Sequence, residues 1–311
     1  MITPLKDQTL KTTPPTLRRL RTEQSNQSTH DLDQKSSLEI AALINAEDAT
    51  VALAVTSAVP QVARAIDQVT AALRRGGRLI YVGAGTSGRI AALDAVEVLP
   101  TFNTDRVHFI IAGGAKALAS ASEISEDDAK AGRKEISRLK PTKKDVVLGI
   151  ATSGRTPFTV AAIAEAHRRG AHTIALTCNP NSLLERAAHF AIVTQVGPEV
   201  LAGSSRMKAG TAHKMVLNMI STAAMARLGF IYGNLMVNVV PRNEKLTQRA
   251  ITILECATGA DHESATRTLK ASGNRTPVAL VMLAAAVSRA EAEAALKKAS
   301  GHVRKAIELA K

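Results

Sequence analysis

The chain has 311 residues, of which 45% are hydrophobic, 22% charged and only 2% aromatic, with a formal net charge of +13. This composition is ordinary for a globular protein with one large core, and it offers few of the aromatic platforms that bind single-stranded nucleic acid. The positive residues are spread along the chain rather than gathered in one basic run, so we expect an anionic substrate and no nucleic acid as a partner.

Cysteine usage and hydropathy predict the compartment. Cys178 and Cys256 are far apart and have no metal-ligand spacing, so neither a disulfide framework nor a zinc site is indicated. The N-terminus has no apolar signal region, and the longest apolar stretches fall short of the roughly 18 residues that span a bilayer. We therefore expect a cytoplasmic protein that does not contact a membrane.

In chain order, the first elements are a polar arm and a helical region. Residues 1–36 are polar, with consecutive prolines at Pro14 and Pro15, and are predicted to be a flexible arm. From Ser37 to about residue 75 the apolar spacing is helical. The glycines at Gly76 and Gly77 follow a basic last turn, which is typical of a helix C-terminus.

Short apolar runs bounded by turns then alternate with helical patterns. The predicted strands are residues 78–83, 107–112, 145–150, 172–177 and 189–194. The predicted helices between them are 87–97, 115–137, 156–169 and 181–187. This alternation predicts an α/β fold with a mostly parallel five-stranded sheet and helices on both faces, which binds ligands at the carboxyl ends of its strands.

The remainder of the chain is predicted to be helical. Residues 206–228 form one long helical pattern, and residues 244–311 have the periodic Ala/Leu faces of a small all-helical subdomain. The predicted units are the arm (1–36), an α/β domain with its N-terminal helices (37–243) and the helical subdomain (244–311).

Two loops follow predicted strands with the same design. Thr86 and Ser87 lie in a glycine-rich loop after the first strand, and Ser153 and Thr156 lie in a similar loop after the third. Glycines let backbone N–H groups approach an anion, and the helix that follows adds its dipole. Either loop alone could be an ordinary strand-to-helix turn. Together they predict one site for a phosphorylated ligand.

A third loop precedes the long helix and carries Ser204 and Ser205, with Arg206 and Lys208 nearby. The serines could contact the ligand, cap the helix, or do both. Glu199, in the same loop, is either a ligand-orienting carboxylate or the cap of a backbone turn. His213, further along the helix, is either a sugar contact or a packed histidine.

Two acidic segments are candidates for proton transfer. Glu97 lies among apolar residues, so we expect it to be desolvated, with a raised pKa. Glu126 lies in an acidic run, and its own surroundings do not distinguish it from Glu123 or Asp127.

The segments GAGTSGR, ATSGRTPF, GPEVLAGSSRMKAGTAHKMVLN and YGNLMVNV resemble the N-acetylmuramic acid 6-phosphate etherases, as do TEQSN, LDQKSSLEI and INAEDATV. The resemblance extends from about Leu20 to the C-terminus. The GSSRMKAGTA segment is its most specific part and is shared with the glucokinase regulatory proteins, which have two sugar isomerase (SIS) domains where this chain has one.

This resemblance implies a SIS-type three-layer αβα sandwich that works as a homodimer with shared active sites and no metal or organic cofactor. The implied reaction cleaves the D-lactyl ether of N-acetylmuramic acid 6-phosphate to N-acetylglucosamine 6-phosphate and D-lactate, in cell-wall sugar recycling. By motif position, Glu97 matches the proton donor and Glu126 the base. The residues that match the phosphate- and sugar-binding positions are Thr86, Ser87, Ser153, Arg155, Thr156, Ser204, Ser205 and Lys208.

The sequence departs from the family pattern around Glu97, where Val96, Val98 and Leu99 stand in place of Ser, Cys and Pro. A more strongly raised pKa or a shifted substrate preference is therefore expected. The alternative to an enzyme is a non-catalytic SIS regulator that binds a sugar phosphate. The presence of both glutamates favours the enzyme, because carboxylates repel a phosphate that is only to be bound.

Overall fold

A computed structural model of the chain describes residues 20–120 and 123–311. Its centre is a sheet of five parallel strands in the order β2-β1-β3-β4-β5. The strands are β1 (Leu79–Gly83), β2 (Val107–Ile111), β3 (Val146–Ile150), β4 (His172–Thr177) and β5 (Phe190–Val193). Each lies within one or two residues of its predicted position, and the predicted α/β fold class is confirmed.

Helices cover both faces of the sheet and make three layers. They are α1 (Ser37–Ala49), α2 (Val51–Thr56), α3 (Val59–Arg74), α4 (Gly85–Phe102), α5 (Ala129–Arg138), α6 (Pro157–Arg168), α7 (Leu183–Ala187) and α8 (Lys208–Arg227). Side chains alternate along a strand. Leu79 and Tyr81 of β1 therefore join the core with α3, α4 and α8, whereas Ile80 and Val82 join the core with α5 and α6.

The C-terminal helices enclose a core of their own. They are α9 (Glu244–Thr258), α10 (His262–Ala271), α11 (Thr276–Ala285), α12 (Arg289–Lys298) and α13 (Val303–Ala310). Val237 and Val239, which precede α9, are also part of this core. Among the described residues, no helix combines the length and the apolar character needed to cross a bilayer.

The arm predicted over residues 1–36 does not extend that far as a free segment. From Arg21 to Gln34 the chain forms three short 3-10 helices, and Leu20, Thr22 and Thr29 are buried. Thr29 Oγ1 donates a hydrogen bond to the carbonyl of Val200 over 2.8 Å. Polar composition misled the prediction, because these polar groups bond to the domain instead of to water. Residues 1–19 lie outside the described residues.

The helix predicted at 115–137 is interrupted. The chain forms 3-10 turns at Gly114–Leu118 and Glu123–Glu126, and α5 begins only at Ala129. The Asp128 side chain accepts a hydrogen bond from the Ala131 N–H at 2.8 Å, which makes Asp128 the N-cap. The acidic run is therefore a connection on the carboxyl side of β2, and it carries Glu126 away from any regular helix.

Candidate active site

A pocket of about 140 Å³ lies at the carboxyl ends of β1 and β3. Its walls come from the loops after these strands, the turn before α5, the loop before α8 and the first described segment of the chain. The polar residues that line it are Glu23, Thr86, Ser87, Glu126, Thr152, Ser153, Thr156 and Ser205. Such an edge of a parallel sheet is where α/β proteins bind their ligands.

Helix α4 presents its N-terminus to this pocket. Its N-cap is Ala84, whose side chain cannot accept a hydrogen bond from the first-turn N–H groups. Gly85, Thr86 and Ser87 all line the pocket, and the last two add hydroxyl groups. A helix N-terminus whose N-cap side chain makes no capping bond is a suitable site for a phosphate.

The loop after β3 repeats this arrangement. Thr156 is the N-cap of α6, makes no side-chain capping bond and is followed by Pro157. Gly154 has φ +64°, and a Cβ there would lie 2.3 Å from the Ser182 side chain, so only glycine fits. The turn holds Ser153, whose Oγ accepts a hydrogen bond from the Arg155 N–H at 3.2 Å. Two helix N-termini, neither with a bond from its N-cap side chain, thus lie at one pocket.

Glu126 reaches the pocket from the 3-10 turn before α5. Its carboxylate packs against Gly85, because a Cβ built on Gly85 would be 2.6 Å from Glu126 Oε1. The acidic run therefore places one carboxylate next to the N-terminus of α4. This position is compatible with proton transfer to or from a ligand bound there.

Glu23 is a pocket residue that the sequence reasoning did not single out. The segment around it is held by Asn179, which accepts a hydrogen bond from the Arg21 N–H and donates one to Thr22 Oγ1, both over 3.0 Å. A Cβ on Gly203 would be 3.3 Å from Glu23 Oε2. The TEQSN segment, which resembles the etherases, is the sequence signal for Glu23, although its polar composition predicts a flexible arm.

Behind the pocket, a buried histidine supports Ser87. His213 is fully buried on α8, with Nδ1 3.3 Å from Ser87 Oγ and Nε2 3.7 Å from Cys178 Sγ. Burial lowers the pKa of His213 to about 4 and raises the pKa of Cys178 to about 12. At neutral pH both groups are uncharged, and His213 is a packed histidine rather than a direct ligand contact.

Glu199 caps α8. Its two carboxylate oxygens accept hydrogen bonds from the N–H groups of Lys208 and Ala209, each over 2.9 Å. The side chain is fully buried, and burial raises its pKa although these backbone donors oppose the shift. Of the two roles open from sequence, the backbone cap is the one observed.

The structure brings six of the ten predicted site residues together and leaves four outside. The six are Thr86, Ser87, Glu126, Ser153, Thr156 and Ser205. Lys208 is buried, its Nζ pairs with Glu47 of α1, and it does not line the pocket. Arg155 and Ser204 belong to the same loops, but they do not line the pocket.

Glu97 is the fourth residue outside, and its surroundings differ from the prediction. It lies twelve residues beyond Gly85 on α4, which places it about 18 Å along the helix axis from the pocket. The side chain is exposed, so the burial expected from its apolar neighbours is absent. Those neighbours are exposed as well: Leu93 to 51%, Val96 to 58% and Leu99 to 44%.

A parallel sheet with Ser/Thr loops around a pocket at its carboxyl edge defines a SIS-type protein, and two family models agree. The glucokinase regulatory protein N-terminal SIS domain matches residues 61–167, and the SIS domain matches residues 132–223. The chain is 46% identical to N-acetylmuramic acid 6-phosphate etherase 1 of Bacillus licheniformis, over 93% of this chain and 96% of the relative. It is 51% identical to the etherase of Symbiobacterium thermophilum, over 87% and 91%. The chain belongs to the N-acetylmuramic acid 6-phosphate etherase family.

Part of the chain also resembles solved structures. A phosphoheptose isomerase from Francisella tularensis matches with a TM-score of 0.46 and 21% identity, covering 62% of this chain and 100% of that one.

Proposed function

We propose that this protein cleaves the D-lactyl ether of N-acetylmuramic acid 6-phosphate and releases N-acetylglucosamine 6-phosphate and D-lactate. It would act as a carbon–oxygen lyase in the cytoplasmic recycling of cell-wall amino sugars. The observation that carries the proposal is the pocket that brings the N-termini of α4 and α6 together with the carboxylate of Glu126. Family membership supports the choice of substrate.

The phosphate would bind where the N–H groups of α4 and the hydroxyls of Thr86, Ser87, Ser153 and Thr156 converge. The sugar would extend from there toward Glu126 and Glu23, because both carboxylates repel the phosphate. Ser205 lies on the same pocket and would contact the sugar. Glu23 would accept a hydrogen bond from a sugar hydroxyl or amide.

The chemistry requires a base and an acid. In the open-chain sugar, the C1 aldehyde acidifies the C2 proton, and Glu126 would remove it. The C3–O bond then breaks, and Glu97 would give a proton to the departing lactyl oxygen. Water adds back across the C2=C3 double bond, with its hydroxyl on C3 and a proton on C2. One carboxylate must begin ionised and the other protonated, so two different surroundings are needed.

Glu97 cannot reach the pocket of its own chain, so the acid would come from a second copy. Leu93, Val96 and Leu99 form an exposed apolar stripe around Glu97 on α4. In a homodimer that buries this stripe, Glu97 would become desolvated and could enter the partner's pocket. This arrangement also reconciles the apolar neighbours of Glu97 with its exposure in the single chain.

D-lactate release tests the proposal. Purified protein is mixed with N-acetylmuramic acid 6-phosphate, with the unphosphorylated sugar as the control. We expect release from the phosphorylated substrate only, and at least a 100-fold loss in both Glu97→Gln and Glu126→Gln. Tight binding of the sugar phosphate without lactate release would contradict an enzyme and indicate a regulator.

Mixing the two variants tests the shared site. After subunit exchange, half of the dimers are mixed, and each mixed dimer has one site with both glutamates intact. The mixture should therefore recover about a quarter of the wild-type activity. No recovery, with exchange shown by mass-tagged chains, would place both glutamates in one chain.

A further inference from the structure

A second cavity, of about 590 Å³, lies at the other end of α8 from the active site. Its walls come from the ends of α3 and α8, the loop before β2, and the turn between α12 and α13. Helix α8 has 20 residues, so the two sites are about 30 Å apart. The cavity lies between the sheet domain and the C-terminal helices, and residues of both line it.

The lining of this cavity is strongly cationic. It contains Arg74, Arg106, Arg227, Lys298 and Lys305, together with His302, and no carboxylate. Only Arg227 has an acidic partner within the part of the chain that the structure describes. That partner is Asp67 at 3.4 Å, and both side chains are more than half exposed. An exposed pair of this kind neutralises little charge.

Two of the arginines are held in place by backbone groups. Arg74 donates a hydrogen bond to the carbonyl of Arg227 over 2.7 Å, and Arg106 donates one to the carbonyl of Gly76 over 2.5 Å. These bonds orient the guanidinium groups but leave their charge uncompensated. Both arginines therefore retain donors for a further acceptor.

The cations of the two units are fixed relative to one another. His302 packs on Gly229, where an added Cβ would lie 2.2 Å from the histidine ring, and the Val303 N–H donates to the Gly229 carbonyl over 3.2 Å. This contact fixes the turn between α12 and α13, and with it Lys298 and Lys305 on the flanking helices, at the cavity that Arg227 also lines. Five like charges around one concave surface repel each other, and a multivalent anion would relieve that repulsion.

We propose that this cavity binds a small phosphorylated compound with at least two negative charges, at a site separate from the active site. Planar guanidinium groups match phosphate oxygens, and the volume suits a small molecule. A nucleic acid fits less well, because Phe230 and His302 are the only rings on which a base could stack among the described residues that line the cavity. Such a ligand would connect α3 and α8 to the α12–α13 turn.

The test is an isothermal titration of the full chain with pyrophosphate at low ionic strength. Lys298→Glu/Lys305→Glu is compared with Lys297→Glu/Lys311→Glu. The control pair lies in the same helical unit, is exposed and changes the net charge equally, but does not line the cavity. We expect affinity to fall at least tenfold in the first pair and less than twofold in the second. Binding at the active site should persist in both.

Equal losses in the two pairs would show a general charge effect and overturn the proposal, as would the absence of a second binding event in the wild type. A short single-stranded oligonucleotide is titrated in parallel. If only its binding depends on Lys298 and Lys305, the occupant is a nucleic acid and the proposal is wrong. Should the Glu variants unfold, Lys298→Gln/Lys305→Gln is expected to lose affinity severalfold in the folded protein.

Discussion

Polar residues around the pocket divide into those that face it and those that support it. Glu23, Glu126 and the loop hydroxyls face the cavity, whereas Glu199 and His213 are fully buried behind it. A buried ionisable group is costly unless it is neutral or hydrogen-bonded. Glu199 meets this condition through two backbone donors and His213 by remaining uncharged.

Glu23 tests whether the first described segment contributes to the site. Replacing Glu23 by Gln should lower the kcat/KM of D-lactate release by about 10- to 100-fold, because a charge-assisted hydrogen bond to the substrate is weakened. Gln24→Ala, at the adjacent exposed position, is the control and should retain activity. Full activity of Glu23→Gln would show that this carboxylate does not contact the substrate.

His213 should make the fold sensitive to acid. Its pKa is about 4 in the folded state and near 6.5 when unfolded, so between these values the unfolded chain binds more protons. Its contribution to stability is therefore present above pH 6.5 and is lost as pH falls toward 4, by about 3 kcal/mol in all. Denaturant unfolding of His213→Gln across this range should have a shallower pH slope. An unchanged slope would mean that the free energy of unfolding does not depend on pH through His213.

At the scale of elements, the site depends on where two helices begin. Helices α4 and α6 each follow a buried strand, α4 after one residue and α6 after six, and neither N-cap residue makes a side-chain capping bond. By contrast, α8 is capped by Glu199. The N-termini of α4 and α6 make the pocket suitable for an anion, because the positive ends of two helix dipoles lie at one cavity.

Gly85 is the point at which α4, the anion site and Glu126 meet. Gly85→Ala should lower D-lactate release strongly, because its Cβ would collide with the Glu126 carboxylate. Gly114→Ala is a matched control: its φ is +66° against +51° for Gly85, but nothing lies within 4 Å of an added Cβ. Both variants should lose about 1 kcal/mol of stability from backbone strain, measured by thermal unfolding. Similar activities of the two variants would show that the Glu126 side chain can move away from the added Cβ without loss of function.

At the scale of the whole molecule, α4 links the pocket to an exposed apolar surface. The stripe of Leu93, Val96 and Leu99 lies about 12 to 21 Å along the helix axis from Gly85. An exposed apolar stripe of this kind on a helix favours burial against another protein. In the proposed homodimer, the contact that buries this stripe would also place Glu97 in the partner's pocket.

Charged substitutions in this stripe should prevent dimer formation without unfolding the chain. Leu93→Glu/Val96→Glu should sediment as a monomer and release no D-lactate, while its far-ultraviolet dichroism stays that of the wild type. Leu309→Glu, on the exposed face of α13, is the control and should leave assembly and activity unchanged. A fully active dimer of the double variant would place the interface elsewhere.

The sequence by itself determined the five strands, the parallel sheet and the loops that line the pocket. Alternating apolar runs and glycine-rich turns are local patterns, and local patterns fix local structure. The choice of Glu126 over Glu123 and Asp127 came from family resemblance alone, since three carboxylates in one run are chemically alike.

Only the tertiary structure decided which side chains meet. It placed Glu23 in the pocket through contacts with Asn179, which is more than 150 residues away in the chain. It turned Lys208 toward Glu47 and left Glu97 exposed among apolar neighbours. Burial and partnership depend on packing between distant segments, which composition and spacing cannot specify.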